Sequence, residues 1–178
     1  KCSSPQCLGP LWSARMAALA IDSKAPDFEL PAADGSTFRL SAQRGAPVIL
    51  YFYPQDDTEG CTIENRAFSS LRPEFDRLGA RLVGISPDSV ETHCNFRDKY
   101  GLAATLLADH DHLAIGSYGV WGPKVTFGHH LMGLIRSTFL IRPDGTIAAT
   151  WQVRRIKGHA EAVLEATRRL VEGGPGRG

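Results

Sequence analysis

A proline, a threonine and a cysteine follow an apolar segment at fixed spacing, as Pro54, Thr58 and Cys61. The apolar segment, residues 48–53, predicts a strand buried on both faces, and the periodic apolar residues after Cys61 predict a helix. Cys61 then lies in the first turn of that helix, where unpaired N–H groups and the helix dipole stabilise an anion. A thiolate in such a place is a nucleophile.

Each residue type in this pattern suits a thiol that attacks an electrophile. Pro54 fixes the backbone where the strand ends and shields one side of the thiol. The Thr58 hydroxyl can accept one hydrogen bond and donate another, so it can orient both the thiolate and an incoming oxygen atom. The same residue types also fit ordinary turn chemistry around a small buried cysteine. Spacing alone leaves both interpretations open.

The composition excludes several classes of function. The chain has 178 residues, of which 43% are hydrophobic and 22% charged, which suffices for one well-buried core. With 20 basic and 19 acidic residues the net charge is +1, so no global field would recruit nucleic acid or an anionic membrane. The four cysteines lack the two-residue gap of a zinc knuckle or a dithiol motif, which favours a reducing cytoplasm.

The chain is predicted to hold one domain. Residues 1–15 lack periodicity and mix Cys, Pro and Gly, so we expect an extension foreign to the domain. The domain itself is expected to span residues 16–172. The Gly- and Pro-rich residues 173–178 are expected to fray.

Strands and helices alternate along this domain. Strand pairs are predicted around the turns at 34–35 and 143–145, and buried strands at 48–53, 81–86 and 105–108. Helices are predicted at 62–78 with a kink or a break at Pro73, from Asp88 to residue 100, at 112–118 and at 160–171. This order predicts an α/β fold with a mixed central sheet, helices on both faces and an N-terminal β-hairpin.

The segment from Tyr51 to Glu64 resembles the active-site loop of peroxiredoxins. In the bacterioferritin-comigratory-protein or peroxiredoxin Q group, this loop reads Y-F-Y-P-x-D-x-T-P-G-C-T-x-E. Similar motifs flank this loop in the family's order, one before it at 25–28 and three after it at 84–89, 119–122 and 136–140. The resemblance therefore extends from about residue 25 to residue 170. It implies a thioredoxin-like fold and a thiol peroxidase for hydrogen peroxide and organic hydroperoxides.

The resemblance also implies roles for individual residues. Cys61 would attack the terminal peroxide oxygen and become a sulfenic acid, which condenses with a second thiol. Arg136 matches the family's active-site arginine, whose guanidinium would stabilise the thiolate and polarise the O–O bond. No metal, flavin or haem is implied, and thioredoxin or a similar dithiol protein would supply electrons. We expect a cytoplasmic monomer with no nucleic-acid or membrane partner.

This sequence departs from the family pattern around the second thiol. Glu59 replaces the usual proline, and we expect its carboxylate to point into solvent. Arg66 occupies the position at which many relatives carry the resolving cysteine, so that route is closed. Other members carry it on the helix after the second strand, near residue 97. In this chain the thiol of that helix is Cys94, one turn earlier on the same face.

Cys94 is therefore the candidate resolving cysteine. A disulfide requires Cα atoms within about 4.4–6.8 Å, so one of the two helices would have to unwind locally before Cys61 and Cys94 join. Alternatively, Cys94 is an inert helix cysteine and an external thiol resolves the sulfenic acid. Two further hypotheses are a peroxide sensor with the same chemistry at Cys61 and a disulfide reductase, against which the absence of C-x-x-C argues.

Overall fold

The computed structural model describes residues 19–173. The predicted extension 1–15 and residues 174–178 of the predicted tail lie outside this range. The strands are β1 (Glu29–Pro31), β2 (Thr37–Arg39), β3 (Val48–Phe52), β4 (Arg81–Ser86), β5 (Thr105–Ala108), β6 (Trp121–Thr126), β7 (His129–Leu134), β8 (Ser137–Ile141) and β9 (Ile147–Gln152). The helices are α1 (Glu59–Ser70), α2 (Arg72–Arg77), α3 (Val90–Tyr100), α4 (Leu113–Ser117), α5 (His159–Glu172) and a 3-10 helix, Leu40–Gln43.

A five-stranded sheet in the order β5-β4-β3-β8-β9 forms the centre of the fold. The strand β3 pairs in parallel with β4 and antiparallel with β8, and β8 pairs antiparallel with β9. All five residues of β3 are buried, which explains the unbroken apolar run in the sequence. The strands β1 and β2 form the predicted N-terminal hairpin.

Two hydrophobic cores lie on opposite faces of this sheet. The α4-side core joins the first hairpin and α4 to alternate residues of β3 and β8, among them Phe52 and Phe139. The α1-side core joins α1, α2, α3 and α5 to the other residues of the same strands, among them Tyr51 and Leu140. Successive strand residues point to opposite faces, so each central strand serves both cores. The predicted mixed sheet with helices on both faces is therefore confirmed.

The predicted helix 62–78 is divided into two helices near Pro73, one of the two outcomes that the proline predicts. The helix α1 begins earlier than predicted, at Glu59, and ends at Ser70. Pro73 lies in the first turn of α2, where its missing N–H costs no hydrogen bond. The backbone N–H of Leu71 bonds to both Ala67 and Phe68, which closes α1 one residue before α2 starts.

The cap of α3 also differs from the prediction. Ser89, not Asp88, is the N-cap, and its hydroxyl accepts the backbone N–H of Thr92 at 3.2 Å. Asp88 instead accepts the hydroxyl hydrogen of Ser86 at 2.6 Å and the backbone N–H of Asp56 at 2.8 Å. It thereby connects the start of α3 to the loop after β3.

The hairpin of β6 and β7 has no counterpart among the predicted elements. Its turn residues Phe127 and Gly128 have φ of 50° and 78°, as in a two-residue turn of the I′ type. Phe127 is 98% exposed, an unusual residue for such a turn, and so the usual Asn-Gly signal is missing. Within residues 19–173, no helix is long and apolar enough to cross a membrane.

Candidate active site

Cys61 is the third residue of α1, as the sequence predicts for a thiol at a helix start. Its side chain has no exposed surface. The N-cap of α1 is Thr58, in an extended conformation with φ of −86° and ψ of 156°. The sulfur therefore lies near the free N–H groups of the first helical turn and is shielded from water, an environment in which fixed donors act strongly on an anion.

The Thr58 hydroxyl has a different partner from the one predicted. It donates to the backbone carbonyl of Gln55 at 3.0 Å. In the part of the chain that the structure describes, it makes no hydrogen bond to Cys61. Its oxygen lone pairs remain available to accept a hydrogen bond from an incoming molecule. Pro54 lies two residues after the end of β3 and is half-buried.

Arg136 reaches the sulfur from the residue before β8. Its Nη2 donates to Cys61 Sγ at 3.2 Å, and its Nη1 donates to Glu64 Oε2. The pairing of β3 with β8 places Phe52 opposite Ser137, so Arg136 lies beside the end of β3 from which the loop to Cys61 departs. The predicted meeting of Arg136 with the thiol is present in the structure.

Glu64 completes this group and was not among the predicted site residues. It lies three residues after Cys61 in α1, on the same helical face, and is 1% exposed. Burial raises its pKa to about 7, although the charge of Arg136 acts in the opposite direction. Its Oε1 is buried and has no hydrogen-bond partner among residues 19–173. The only sequence signal was the C-T-x-E ending of the resembling loop.

The pKa of Arg136 is also raised, but for an arginine a raised pKa favours the charged form. Burial lowers the pKa of the guanidinium, but Glu64 and Cys61 both favour its charged form and the net direction is upward. Arg136 thus keeps its charge beside the sulfur. A fixed cation with one N–H on the sulfur and another on a carboxylate is a preorganised donor for charge that develops on sulfur or oxygen.

Two buried side chains, Asn65 and Tyr51, fix the backbone of Cys61 through a chain of hydrogen bonds. Asn65 donates its amide hydrogen to the carbonyl of Cys61 at 2.9 Å. Tyr51, from β3, donates its hydroxyl hydrogen to Asn65 Oδ1 at 2.7 Å. Burial raises the pKa of Tyr51 well above its usual value, so the phenol stays a donor. The first turn of α1 is therefore anchored to the central strand.

Cys94 lies outside the Cys61–Arg136–Glu64 group. It is half-buried on α3, and its thiol donates to the carbonyl of Ala33 at 2.7 Å. The N–H of Ala33 in turn bonds to Leu106 of β5, at the edge of the sheet. Both Cys61 and Cys94 are free thiols. Residue 97, where relatives carry a resolving cysteine, is an arginine bonded to Asp98 at 3.0 Å.

Other sequence expectations near the site can be placed as well. Glu59 and Arg66 are exposed on α1, as expected for Glu59. His129 and His130 are exposed on β7. In residues 19–173, no group of three or more His, Cys, Asp and Glu side chains could hold a metal ion.

Comparison with known proteins fixes the family. Residues 21–150 match the AhpC/TSA family. The chain is 39% identical over 154 residues to peroxiredoxin Bcp of Bacillus subtilis, which covers 86% of this chain and 98% of that protein. The chain belongs to the AhpC/TSA family. A second relative, peroxiredoxin Bcp of Xanthomonas campestris, is 39% identical over 150 residues, 84% of this chain and 94% of its own length.

Solved structures place this AhpC/TSA chain in the thioredoxin-like peroxiredoxin fold. The bacterioferritin comigratory protein of Xanthomonas campestris, studied for alkyl peroxide reduction activity, superposes with a TM-score of 0.79 at 37% identity. The match covers 86% of this chain and 98% of that structure. AhpC of Mycobacterium tuberculosis, at 22% identity and a TM-score of 0.72, shows the same fold. The predicted family and fold are confirmed, and the chain is a thiol peroxidase.

Proposed function

We propose that Cys61 is the peroxidatic cysteine of this peroxidase. The observation that carries the proposal is the 3.2 Å hydrogen bond from Arg136 Nη2 to Cys61 Sγ at a buried helix start. A cation and a helix N-terminus on one sulfur both favour the thiolate, which is the attacking form. The substrates are hydrogen peroxide and organic hydroperoxides, and the alkyl peroxide reduction studied in the Xanthomonas relative supports the second class.

In the first half-reaction, the thiolate of Cys61 attacks the terminal oxygen of the hydroperoxide. The S–O bond forms while the O–O bond breaks, and the electron pair of the O–O bond leaves on the second oxygen. That oxygen takes a proton and departs as water or alcohol, and the cysteine is oxidised by two electrons to a sulfenic acid. Arg136 stabilises the negative charge before and during this transfer.

In the second half-reaction, the sulfenic acid condenses with the thiol of Cys94 and releases water. Two electrons from thioredoxin or a similar dithiol protein then reduce the disulfide. Cys94 must first leave the carbonyl of Ala33, so α3 or α1 unwinds locally before the sulfurs meet. We propose a cytoplasmic monomer as the acting form, and the net charge of +1 supports the absence of nucleic-acid and membrane partners.

Replacement of the proposed nucleophile tests the first half-reaction. Cys61→Ser should abolish peroxide consumption, because a serine hydroxyl is not ionised at neutral pH. The matched control is Cys94→Ser, which should still consume one equivalent of peroxide per chain in a single turnover. Peroxide loss measured with thioredoxin and its reductase distinguishes the two variants. Turnover by Cys61→Ser at the unmodified rate would contradict the proposed function.

Mass mapping after one equivalent of peroxide tests the second half-reaction. We expect a Cys61–Cys94 disulfide within one chain, because these are the two thiols of the described fold. A sulfenic acid that persists at Cys61 would show that an external thiol resolves it. Thioredoxin-linked turnover unchanged in Cys94→Ser would show the same.

The bond from Cys94 to Ala33 favours one alternative, a sensor that passes its oxidation to another protein. Because the second thiol is held elsewhere, a partner thiol could reach the sulfenic acid of Cys61 first. Rapid oxidation of Cys61 with slow thioredoxin-linked turnover would identify this behaviour. Fast turnover with thioredoxin would leave the peroxidase cycle as the function.

A further inference from the structure

A polar group is buried under the loop that precedes Cys61, on the side that faces α3. The side chains of Asp56 and His93 both have no exposed surface, although the residues next to Asp56 in the loop are more exposed. His93 Nδ1 lies 2.7 Å from Asp56 Oδ2. Tyr53 donates its hydroxyl hydrogen to Asp56 Oδ1 at 2.7 Å. The first half-reaction at Cys61 uses none of these groups directly.

The neighbours of His93 determine where its protons lie. Nε2 is 3.0 Å from the carbonyl oxygen of Leu107, which only accepts, so Nε2 carries a hydrogen. The hydroxyl of Ser86, 3.5 Å from Nε2, gives its hydrogen to Asp88. Without a second hydrogen, the lone pair of Nδ1 would face the carboxyl oxygen of Asp56 at 2.7 Å, and two acceptors at that distance repel. One further proton therefore lies between His93 and Asp56.

This shared proton makes the buried pair neutral overall, as a pair without solvent requires. Oδ1 of Asp56 accepts from Tyr53, and Oδ2, which has no other hydrogen-bond partner among the described residues, lies 2.7 Å from His93 Nδ1. Both ring nitrogens of His93 have partners as well, one in the loop and one on β5. The pair thus connects the loop rigidly to the sheet and to α3.

Two further contacts hold the same loop. Asp88, at the start of α3, accepts the backbone N–H of Asp56 at 2.8 Å. On the exposed side, Asp57 accepts from Lys99 Nζ at 2.6 Å and from the Tyr100 hydroxyl at 2.5 Å. The exposed contacts are screened by solvent and weak, so the buried contacts of Asp56 dominate.

We infer that His93 is a positioning residue for the reaction at Cys61, acting through Asp56. The loop leads directly into the first turn of α1, and its N-cap, Thr58, gives the helix no side-chain hydrogen bond. The position of that turn relative to Arg136 therefore depends on the contacts that hold Asp56 against α3. This inference rests on the proposed role of Cys61.

Three variants separate positioning from a merely structural role. His93→Phe keeps a ring of similar size but removes the contacts with Asp56 and with the Leu107 carbonyl. Asp56→Leu removes the contact between Asp56 and His93 from the other partner and leaves the Leu107 contact in place. In Asp56→Asn, the new amide can donate to Nδ1 while its oxygen accepts from Tyr53, so the contacts survive without the shared proton. Asn95→Ala is the control, because Asn95 is exposed on the same helix.

The experiment measures loss of the Cys61 thiol after rapid mixing with hydrogen peroxide, followed by acid quench and mass spectrometry. We expect His93→Phe and Asp56→Leu to slow oxidation of Cys61 at least tenfold. The same two variants should speed alkylation of Cys61 by a bulky maleimide, because the sulfur becomes accessible. Asp56→Asn and Asn95→Ala should stay within threefold of the unmodified rates. His93→Gln, which keeps one of the two hydrogen bonds, gives an intermediate rate where His93→Phe does not fold.

Two results would overturn the inference. One is a folded His93→Phe or His93→Gln protein that is less stable to urea but oxidises Cys61 at the unmodified rate. The other is an Asp56→Asn variant in which Cys61 is oxidised as slowly as in Asp56→Leu. The contacts kept by the asparagine would then have no effect on the oxidation rate. Failure of the proposed function is a separate result, because it requires peroxidase activity in Cys61→Ser. The alkylation rate of Cys61 does not depend on that activity.

Discussion

The charge of the buried Glu64 carboxyl determines how the positive charge of Arg136 is divided between Glu64 and Cys61. Arg136 holds both this carboxyl and the sulfur of Cys61. When Glu64 is protonated, a Cys61 thiolate is the one negative group that Arg136 contacts within residues 19–173. When Glu64 is ionised, the two anions share one cation. Because the pKa of Glu64 is about 7, this balance changes near neutral pH.

The same pKa predicts a pH-dependent stability. Its folded value of about 7 lies above the ordinary 4.5, so the folded state binds the proton more tightly than the unfolded state. The stabilisation is complete below about pH 4.5, declines as pH rises and is lost above about pH 7. At about 1.4 kcal/mol per pH unit, the loss is on the order of 3 kcal/mol. Glu64→Gln should lack this decline when urea unfolding is measured from pH 4.5 to 8.

The control for this prediction is Glu91→Gln, a change at an exposed glutamate of α3. Its stability profile should run parallel to that of the unmodified protein. A Glu64→Gln profile that also runs parallel would show that Glu64 ionises at the same pH in the folded and unfolded states.

The pairing of β3 with β4 supports the active-site helix through one close contact. Tyr51 lies opposite Gly84 in the parallel register, and its ring stacks on Phe68 of α1 with centroids 4.4 Å apart. A Cβ at residue 84 would lie 2.7 Å from the Tyr51 ring. The ring and its hydrogen bond to Asn65 therefore require a glycine on the neighbouring strand.

We expect Gly84→Ala to lower the free energy of unfolding by about 1–3 kcal/mol, the usual cost of overpacking a close-packed core. The displaced Tyr51 would also loosen Asn65 beneath Cys61, so peroxide oxidation should slow. The control is Gly116→Ala in α4, where the added methyl meets nothing within 4 Å and alanine favours the helix. Urea unfolding of both variants checks this prediction, and equal stabilities would contradict it.

Most elements were predictable where periodicity and turn residues agree. The strand 81–86 was predicted with its observed ends. The helix α3 ends at Tyr100, and the predicted stop residue Gly101 caps it in the left-handed conformation with φ of 61°. The β6–β7 hairpin was missed because its turn is Phe-Gly and its strands lack regular alternation. At the site, spacing identified Cys61 and the resemblance identified Arg136. Burial of Glu64 could not be foreseen, because it depends on where the fold places Arg136 beside α1.

At the scale of the whole molecule, the central sheet belongs to both hydrophobic cores. Each central strand sends alternate side chains to the α4-side core and to the α1-side core. Neither core can lose its packing without exposing the other face of the same strands. The described residues should therefore unfold as one cooperative unit.

Two tryptophans report on the two cores separately. Trp121 packs against the α4-side core and Trp151 against the α1-side core. Two double variants each keep one of these tryptophans: Trp12→Phe with Trp121→Phe, and Trp12→Phe with Trp151→Phe. If circular dichroism shows that the two variants are equally stable, we expect their fluorescence to give the same urea midpoint. Separate midpoints would show that the cores unfold independently.

The complete burial of Cys61 has a kinetic consequence. A reactant can touch the sulfur only when the surrounding loop fluctuates outward, so each oxidation event requires such an opening. At low peroxide the rate of oxidation rises with concentration. At high peroxide it reaches a ceiling equal to the opening frequency, whatever the chemical reactivity of the oxidant. A large hydroperoxide needs a wider and rarer opening, so its maximal rate of oxidation is lower. The motion of the loop therefore makes the protein selective for small oxidants.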